Sequence, residues 1–371
     1  MKKVFARHVL NITSILLVST LVFLATAAFA AKREKVLLDT DMVEGFDDGI
    51  AMLMLATSPK IDLIGVTTIT GNTWQAEGTA YGVRQLEAIN MAGKIPIVPG
   101  LHETLKTGRI AKIPAERAEM GKNFDDYVGA ATRPNPKDWH KVYKKMYGKE
   151  SKTKTLDMPA EDFIIQQVKK YPNEVTLVVI GPCGNIVKAI KKAPEIVPLV
   201  KKIVYMGGAF FVEGNVTPAA EFNWWFDPEA AKQCLRAPWK EQIILPLDAC
   251  NHISFTDARY KGYINMTKNP IVKDILKRMY DVMEREMIKS HSAFVWDALS
   301  AAVTIDPSII KKEVKLPVDI NDTYSLSYGE SMAFRGTPPK GAQKARIVLE
   351  INNARFWSDL AKTMKALPMP R

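Results

Sequence analysis

The sequence of 371 residues has only three cysteines, no internal repeat and, beyond its first thirty residues, no long apolar run. Cys183, Cys234 and Cys250 are an odd number, so at most one disulfide can form within the chain, and their spacing matches no zinc motif. We expect three buried thiols, with a pair between Cys234 and Cys250 as the alternative in an oxidising compartment. A disulfide-dense scaffold is therefore excluded.

The composition shows no bias towards a disordered or fibrous protein. Hydrophobic residues make up 47% of the chain and charged residues 25%, which are ordinary values for globular domains. The net charge of +11 comes from 51 basic and 40 acidic residues, and no nucleic-acid-binding motif accompanies it. We therefore interpret the basic surface as solvated and expect no nucleic-acid partner.

The first thirty residues contain no acidic side chain and are typical of an export signal. Basic residues precede an uncharged run from Val9 to Ala31, and the run contains the small-residue triplet Ala28-Phe29-Ala30. We expect cleavage after Ala30, which leaves a mature chain of residues 31–371 in the periplasm or outside the cell, without membrane association. The alternative is an uncleaved anchor, because the uncharged run is long enough to span a bilayer.

In the rest of the chain, strand-like apolar runs alternate with helical patterns. Strands are predicted at 35–38, 61–68, 95–98, 175–180, 202–206, 242–245, 314–320 and 345–351, and helices at 49–57, 74–91, 161–170, 185–192, 227–235, 270–289, 292–304 and 356–366. Nearly continuous apolar strands separated by helices indicate a parallel sheet covered on both faces. We predict a single α/β domain with a mostly parallel central sheet flanked by helices. Functional residues should then follow the strands.

Residues 111–155 interrupt this alternation. The segment is rich in lysine, proline, aspartate and aromatic residues and has weak periodicity. We interpret it as an insertion close to the mouth of the functional site.

A dense acidic cluster follows the first predicted strand. Asp39, Asp41, Glu44, Asp47 and Asp48 lie within ten positions. Like charges at this density repel one another unless a cation neutralises them, and oxygen ligands suit Ca²⁺ or Mg²⁺ better than zinc. Capping of the next helix would explain only one of these side chains. The pattern also fits a phosphatase D-x-D motif, in which the first aspartate accepts a phosphoryl group.

Six segments together favour a different family. They are residues 39–48, 71–72, 181–185, 206–208, 214–231 and 296–299. In their order and spacing, the sequence resembles the inosine–uridine-preferring nucleoside hydrolases along almost the whole mature chain. The resemblance implies an α/β fold and cleavage of the N-glycosidic bond of a ribonucleoside by water, through an oxocarbenium-like transition state. The products would be a free base and ribose for nucleoside salvage.

The resemblance also implies a calcium site. Asp41, Asp48, Asp297 and the backbone carbonyl of Ile180 match the family's Ca²⁺ ligands. Asp41 additionally matches the general base that takes a proton from the bound water.

A second set of residues matches the family's ribose-binding groups. They are Asp47, Asn72, Asn215, Glu221 and Asn223. Amides and carboxylates can bind the vicinal hydroxyl groups of ribose, and they discriminate against deoxy sugars because an unpaired buried polar group is costly.

Two features depart from the better-known family pattern. Five residues instead of three separate Asp41 from Asp47, and Trp296 precedes Asp297 where many members have a proton-donating histidine. The Trp-Asp pair resembles the purine-preferring branch, in which an aromatic ring stacks on the base. The alternative is that Trp296 is a core residue.

Other side chains could line the expected mouth of the site. The aromatic candidates are Trp74, Trp224 and Trp225, and His252 and His291 are candidates for the missing acid.

We therefore expect an exported, calcium-dependent and purine-preferring ribonucleoside hydrolase that assembles as a homo-oligomer, as its family commonly does. The altered loop and the missing histidine leave two alternatives, a non-catalytic nucleoside-binding protein and a hydrolase of a related N-riboside.

Overall fold

The central sheet has nine strands. The computed structural model describes residues 32–121, 128–283 and 293–370. The strands are β1 (Glu34–Thr40), β2 (Ile61–Thr68), β3 (Ile97–Pro99), β4 (Val175–Val179), β5 (Lys202–Met206), β6 (Gln242–Leu245), β7 (Ile310–Ile320), β8 (Ser331–Ala333) and β9 (Gln343–Ile351). Their order is β3-β2-β1-β4-β5-β6-β9-β7-β8, and β7 alone runs in the opposite direction to the other eight strands. The predicted α/β fold with a mostly parallel sheet is confirmed.

Thirteen α-helices lie in the described ranges. They are α1 (Asp47–Thr57), α2 (Gln75–Ala88), α3 (Ile113–Met120), α4 (Trp139–Tyr147), α5 (Ala160–Lys170), α6 (Gly184–Lys192), α7 (Phe222–Phe226), α8 (Pro228–Arg236), α9 (Leu247–Cys250), α10 (Asp257–Met266), α11 (Pro270–Met283), α12 (Asp297–Ile305) and α13 (Asn353–Ala366). No helix in these ranges is both long and apolar enough to cross a membrane. The export signal lies outside the described residues, as do the last positions of the helix predicted at 270–289.

Two hydrophobic clusters cover the faces of the sheet. Along β1, Val36 and Leu38 pack in one cluster and Leu37 in the other, as expected when successive side chains point to opposite faces. Every residue of β4 and β5 is buried, which explains their continuous apolar runs. Because both faces are covered, polar side chains collect at the ends of the strands.

All three cysteines are buried and unpaired. The alternative pair between Cys234 and Cys250 is wrong because the two side chains belong to clusters on opposite faces of the sheet, Cys234 with Cys183 in one and Cys250 in the other.

The segment 111–155 contains two helices, α3 and α4. Helix α4 begins after Asp138, whose carboxylate accepts hydrogen bonds from the backbone N–H groups of His140 and Lys141. Tyr143 of α4 donates to Glu87 at the end of α2. The segment therefore packs against the helix that follows β2.

Candidate active site

Three buried carboxylates meet where two helices begin. Asp47 and Asp48 occupy the first turn of α1, and Asp297 is the first residue of α12. Each offers an oxygen within 4.8 Å of the oxygens of the other two. The partial positive charge at a helix N-terminus favours carboxylates in its first turn, although it does not neutralise three of them.

Burial and mutual repulsion make these groups strong proton binders. Burial, together with the charge of Asp48, raises the pKa of Asp47 to about 8. Burial also raises the pKa of Asp41 to about 7, and the charges of Asp47 and Glu221 add to the increase. The pKa values of Asp48 and Asp297 lie well above the ordinary range for the same reasons. A bound cation would relieve this repulsion.

Asp41 follows β1 and has one carboxylate oxygen without a partner. Its Oδ2 accepts a hydrogen bond of 2.6 Å from the backbone N–H of Asn72, whereas the buried Oδ1 has none in the part of the chain that the structure describes. Asn223 Oδ1 is likewise buried without a partner there. All the candidate metal ligands would coordinate through oxygen atoms, so the site fits a hard divalent cation.

Two glycines leave the space that Asp41 occupies. A Cβ on Gly71 would lie 2.1 Å from Asp41 Oδ2, and a Cβ on Gly181 would lie 2.9 Å from Oδ1. A real Cβ cannot approach that closely, so both positions require glycine. The glycines of the Gly71-Asn72 and Gly181-Pro182 dipeptides therefore leave the room in which the carboxylate of Asp41 lies.

The short helix α7 arranges the amide and carboxylate side chains beside the carboxylates. Glu221 caps it, because its Oε1 accepts from Asn223 N at 2.8 Å and its Oε2 from Trp224 N at 3.2 Å. The same Oε2 also accepts from Gly208 N at 2.9 Å, after β5. Asn223 Nδ2 donates to the carbonyl oxygen of Ile180 at 3.3 Å, directly after β4. Asn215 Oδ1 accepts from Phe222 N at 2.9 Å. Burial raises the pKa of Glu221 to about 7.

These groups open into a cavity of about 710 Å³. Six of its lining residues are sequence-predicted site residues, and we refer to them as the inner end of the cavity: Asp47, Asn72, Asn215, Glu221, Asn223 and Asp297. Trp296 lines it too, and is half-buried. Its ring packs edge-on against Phe46 with centroids 6.3 Å apart, and its Nε1 donates to Asn251 Oδ1 at 3.3 Å. Trp296 thus presents an aromatic surface to the cavity, while its indole N–H is hydrogen-bonded to Asn251.

The other sequence candidates lie elsewhere. Trp224 and Trp225 are fully buried in separate hydrophobic clusters, and Trp74 Nε1 donates to the carbonyl of Arg133. None of these three rings lines the cavity. His252 is exposed and does not line it either. His291 lies outside the described residues.

The fold and the motifs agree with a known family. The family model described as "Inosine-uridine preferring nucleoside hydrolase" matches residues 36–358. The chain belongs to this nucleoside hydrolase family. Its members among curated proteins include the "Inosine-uridine preferring nucleoside hydrolase" of Crithidia fasciculata, which is 29% identical over 345 residues that cover 91% of this chain and 99% of that protein.

Other comparisons are shorter or more distant. The "Probable uridine nucleosidase 1" of rice (Oryza sativa subsp. japonica) is 35% identical over 225 residues, which span 61% of this chain and 62% of that protein. The chain spans little more than half the length of two Arabidopsis thaliana uridine nucleosidases that it also matches. A solved plant nucleoside hydrolase, PpNRh1, superimposes with a TM-score of 0.72 at 24% identity, covering 90% of this chain and 99% of that one. That likeness supports the shared fold.

In this nucleoside hydrolase fold, the site residues predicted from the sequence lie close together, but the aspartates that lie closest to one another are not the set predicted to bind the metal. Asp47, predicted to bind ribose, belongs to the closest group of three carboxylates, whereas Asp41 lies outside that group. Asp41 remains near enough for its charge to raise the pKa of Asp48. Asp47 and Asp297 line the cavity, whereas Asp41 and Asp48 are fully buried and do not line it.

Five further polar residues line the cavity, and we refer to them as its outer end. They are Glu44, Glu77, Tyr81, Arg133 and Arg278. The sequence singled out only Glu44, as a member of the acidic cluster. Glu77 and Tyr81 are four positions apart on α2 and thus share one face of that helix, whereas Arg133 and Arg278 come from distant segments that carry no such signal.

Proposed function

We propose that the chain is a calcium-dependent hydrolase that cleaves the N-glycosidic bond of ribonucleosides and releases the base and ribose. The observation that carries the proposal is the cluster of buried carboxylates at the inner end of a cavity lined by amide and carboxylate side chains. Family membership supports the reaction class. A phosphatase reaction is not favoured, because the cavity's inner polar groups match a sugar better than a phosphate.

Calcium is the proposed ion because every candidate ligand is a hard oxygen. Asp48, Asp297, Asp41 and the Ile180 carbonyl would hold it, and Asp47 is close enough to contribute. When bound, the ion holds a water molecule and lowers its pKa.

Asp41 is the proposed general base. Its Oδ1 is buried without a partner in the described residues, while its Oδ2 is fixed by the N–H of Asn72. One oxygen therefore orients the side chain, and the other can accept a proton from the attacking water. The charge of Glu221 and the Asn223 Oδ1 dipole would stabilise the positive charge that develops on the ribose.

Trp296 supports a preference for purines. It lines the cavity and is held edge-on by Phe46, so a base can stack on its exposed face. Stacking contributes about 1–3 kcal/mol per base and is stronger for the larger ring system. The names of the relatives do not decide between purines and pyrimidines, since the rice protein is named for uridine and the Crithidia protein for both inosine, a purine nucleoside, and uridine. The purine preference therefore rests on Trp296 alone.

The decisive experiment measures ribose release from purine and pyrimidine ribonucleosides, with and without a chelator. We expect release that calcium restores after chelation, mainly from purines. Equal release from pyrimidines would keep the hydrolase and remove the purine preference. Saturable binding without release would favour a nucleoside-binding protein, and release only from another N-riboside would favour that alternative substrate.

Export and assembly are separate proposals. Export to the periplasm or the medium rests on residues 1–30 and predicts that the secreted protein begins at Ala31. The homo-oligomer rests on the family resemblance, and light scattering on the purified protein would test it.

A further inference from the structure

Tyr81 lines the outer end of the cavity and has an unused hydroxyl group. No hydrogen bond joins it to any group in the part of the chain that the structure describes, although its side chain is half-buried. Nearby tyrosines differ in this respect. Tyr147 donates to Glu44 Oε1 at 2.5 Å, Tyr260 donates to the carbonyl of Gly45 at 2.7 Å, and Tyr143 donates to Glu87.

Two ion pairs surround Tyr81. Arg133 Nη2 lies 2.9 Å from Glu77 Oε2, and Arg278 Nη2 lies 3.2 Å from Glu44 Oε2. All four of these side chains line the same cavity as Tyr81. Among the described residues, each of these two cations is paired with an anion, so this end of the cavity suits a neutral polar ligand rather than a phosphate. A nucleobase is such a ligand.

Burial and the neighbouring carboxylates keep Tyr81 protonated to a higher pH than an ordinary tyrosine. Burial, together with the charges of Glu77 and Glu44, raises the pKa of Tyr81 to about 12. The hydroxyl group therefore stays protonated at neutral pH and can donate a hydrogen bond. Purine bases present acceptors in return, notably the ring nitrogen N7.

We propose that Tyr81 donates a hydrogen bond to the leaving base and is a specificity-determining residue of this cavity. The inference rests on the proposed function and adds to it a polar group that recognises the base, in the same cavity as the stacking ring of Trp296. As the glycosidic bond breaks, the base gains electron density, so a donor to one of its ring nitrogens binds the transition state more tightly than the substrate. Tyr81 would thereby supply part of the assistance that the absent histidine gives elsewhere.

The test compares Tyr81→Phe with the matched variant Tyr143→Phe. Both variants remove one hydroxyl group near α2, but Tyr143 does not line the cavity. We expect Tyr81→Phe to lower kcat/KM for inosine about tenfold, as for the loss of one hydrogen bond to the substrate, and Tyr143→Phe to lower it less than twofold. Hydrolysis of 4-nitrophenyl β-ribofuranoside, whose leaving group needs no such assistance, should be unchanged in both.

A second substrate locates the hydrogen bond. In 7-deazainosine a C–H replaces N7, so the wild-type chain should lose activity and Tyr81→Phe should cause little further loss. An equal loss on inosine and the nitrophenyl riboside would overturn the proposal, because Tyr81 would then act on the whole site. So would an unchanged kcat/KM for inosine.

Failure of the proposed hydrolase would look different. If the wild-type chain hydrolyses no ribonucleoside, calorimetric binding of inosine still tests Tyr81. An affinity about tenfold lower in Tyr81→Phe supports the hydrogen bond to the base, and an unchanged affinity rejects it.

Discussion

At the inner end of the cavity the functional groups follow strands or begin helices, whereas at the outer end they come from unrelated segments. Asp41 follows β1, and Asp47 begins α1 a few residues later. The outer end combines Glu44 of the intervening loop, Tyr81 in the middle of α2 and Arg278 in the middle of α11. The parallel sheet determines where the inner-end residues lie. The positions of the outer-end residues depend instead on how the helices pack against one another.

The two ends also differ in electrostatics. The inner carboxylates face one another without a cationic side chain among the causes of their raised pKa values. At the outer end, each carboxylate has a guanidinium partner, as in the pair of Glu44 and Arg278. Unbalanced charge at one end suits a cation and a developing positive charge, and balanced charge at the other suits an uncharged base.

Among changes at the inner end, removing the proposed general base, Asp41, should have the largest effect on activity. Asp41→Asn keeps the shape of the side chain but cannot take a proton, so we expect kcat for inosine to fall about 10³-fold with little change in KM. Steady-state kinetics would measure it. Asp62→Asn is the control, because Asp62 on β2 is a surface carboxylate that pairs with Lys35. If Asp41→Asn kept more than a tenth of the wild-type kcat, another group would be the base.

Displacing Asp41 without changing it should have the next largest effect. The Cβ of Gly71→Ala would lie 2.1 Å from Asp41 Oδ2, so the carboxylate must move, and we expect kcat to fall about 10²-fold. Gly262→Ala is the matched control, because nothing lies within 4 Å of its new Cβ in α10. That variant should retain activity and gain slightly in thermal stability. Equal kcat values in the two variants would show that Asp41 tolerates displacement.

Much of the inner end could be predicted from the sequence because the relevant signals are local. The apolar run before Asp39 predicts the buried strand, and the edge of a parallel sheet is where polar groups can collect. The Gly71-Asn72 motif can also be recognised in the sequence, but only the structure explains the glycine, because a Cβ at position 71 would clash with Asp41. The predicted boundaries of β2, β5 and β6 matched, since each strand is a short and mainly apolar segment.

The outer end could not be predicted because no periodicity records which distant helices meet. Arg278 contacts Glu44 across 234 positions of sequence. The short helices α7 and α9 were also missed, since four or five residues are too few to show a helical period. Trp224 and Trp225 look like mouth residues in sequence, yet both are core side chains because α7 turns them away from the cavity.

Replacing Trp296 tests whether the cavity recognises the base by stacking. Trp296→Ala removes the stacking surface, so we expect kcat/KM for inosine and adenosine to fall about tenfold and that for uridine to fall less. Trp357→Ala is the matched control for lost packing, because Trp357 is also half-buried against the same hydrophobic cluster but does not line the cavity. Equal losses on purines and uridine would assign Trp296 to the core alone.

The smallest effect concerns the pH dependence of stability, to which the inner carboxylates contribute most. The pKa values of Asp41 and Asp47 are raised from 3.8 to about 7 and about 8, so the metal-free folded chain retains protons that the unfolded chain has released. Its stability should therefore fall as pH rises from about 4 to about 8, which would lower Tm by several degrees. At the outer end, burial also raises the pKa of Glu44, so this carboxylate contributes to the same fall.

Calcium should flatten this dependence without abolishing it. A bound cation stabilises the ionised carboxylates at the inner end, so the gain in Tm on adding calcium should be larger at pH 8 than at pH 6. Part of the slope should persist because Asp227, whose pKa burial raises to about 7, caps α8 outside the carboxylate cluster. Asp47→Asn removes one buried charge and should reduce both the slope and the calcium effect in thermal melts. A calcium gain that did not vary with pH would argue against these carboxylates as the ligands.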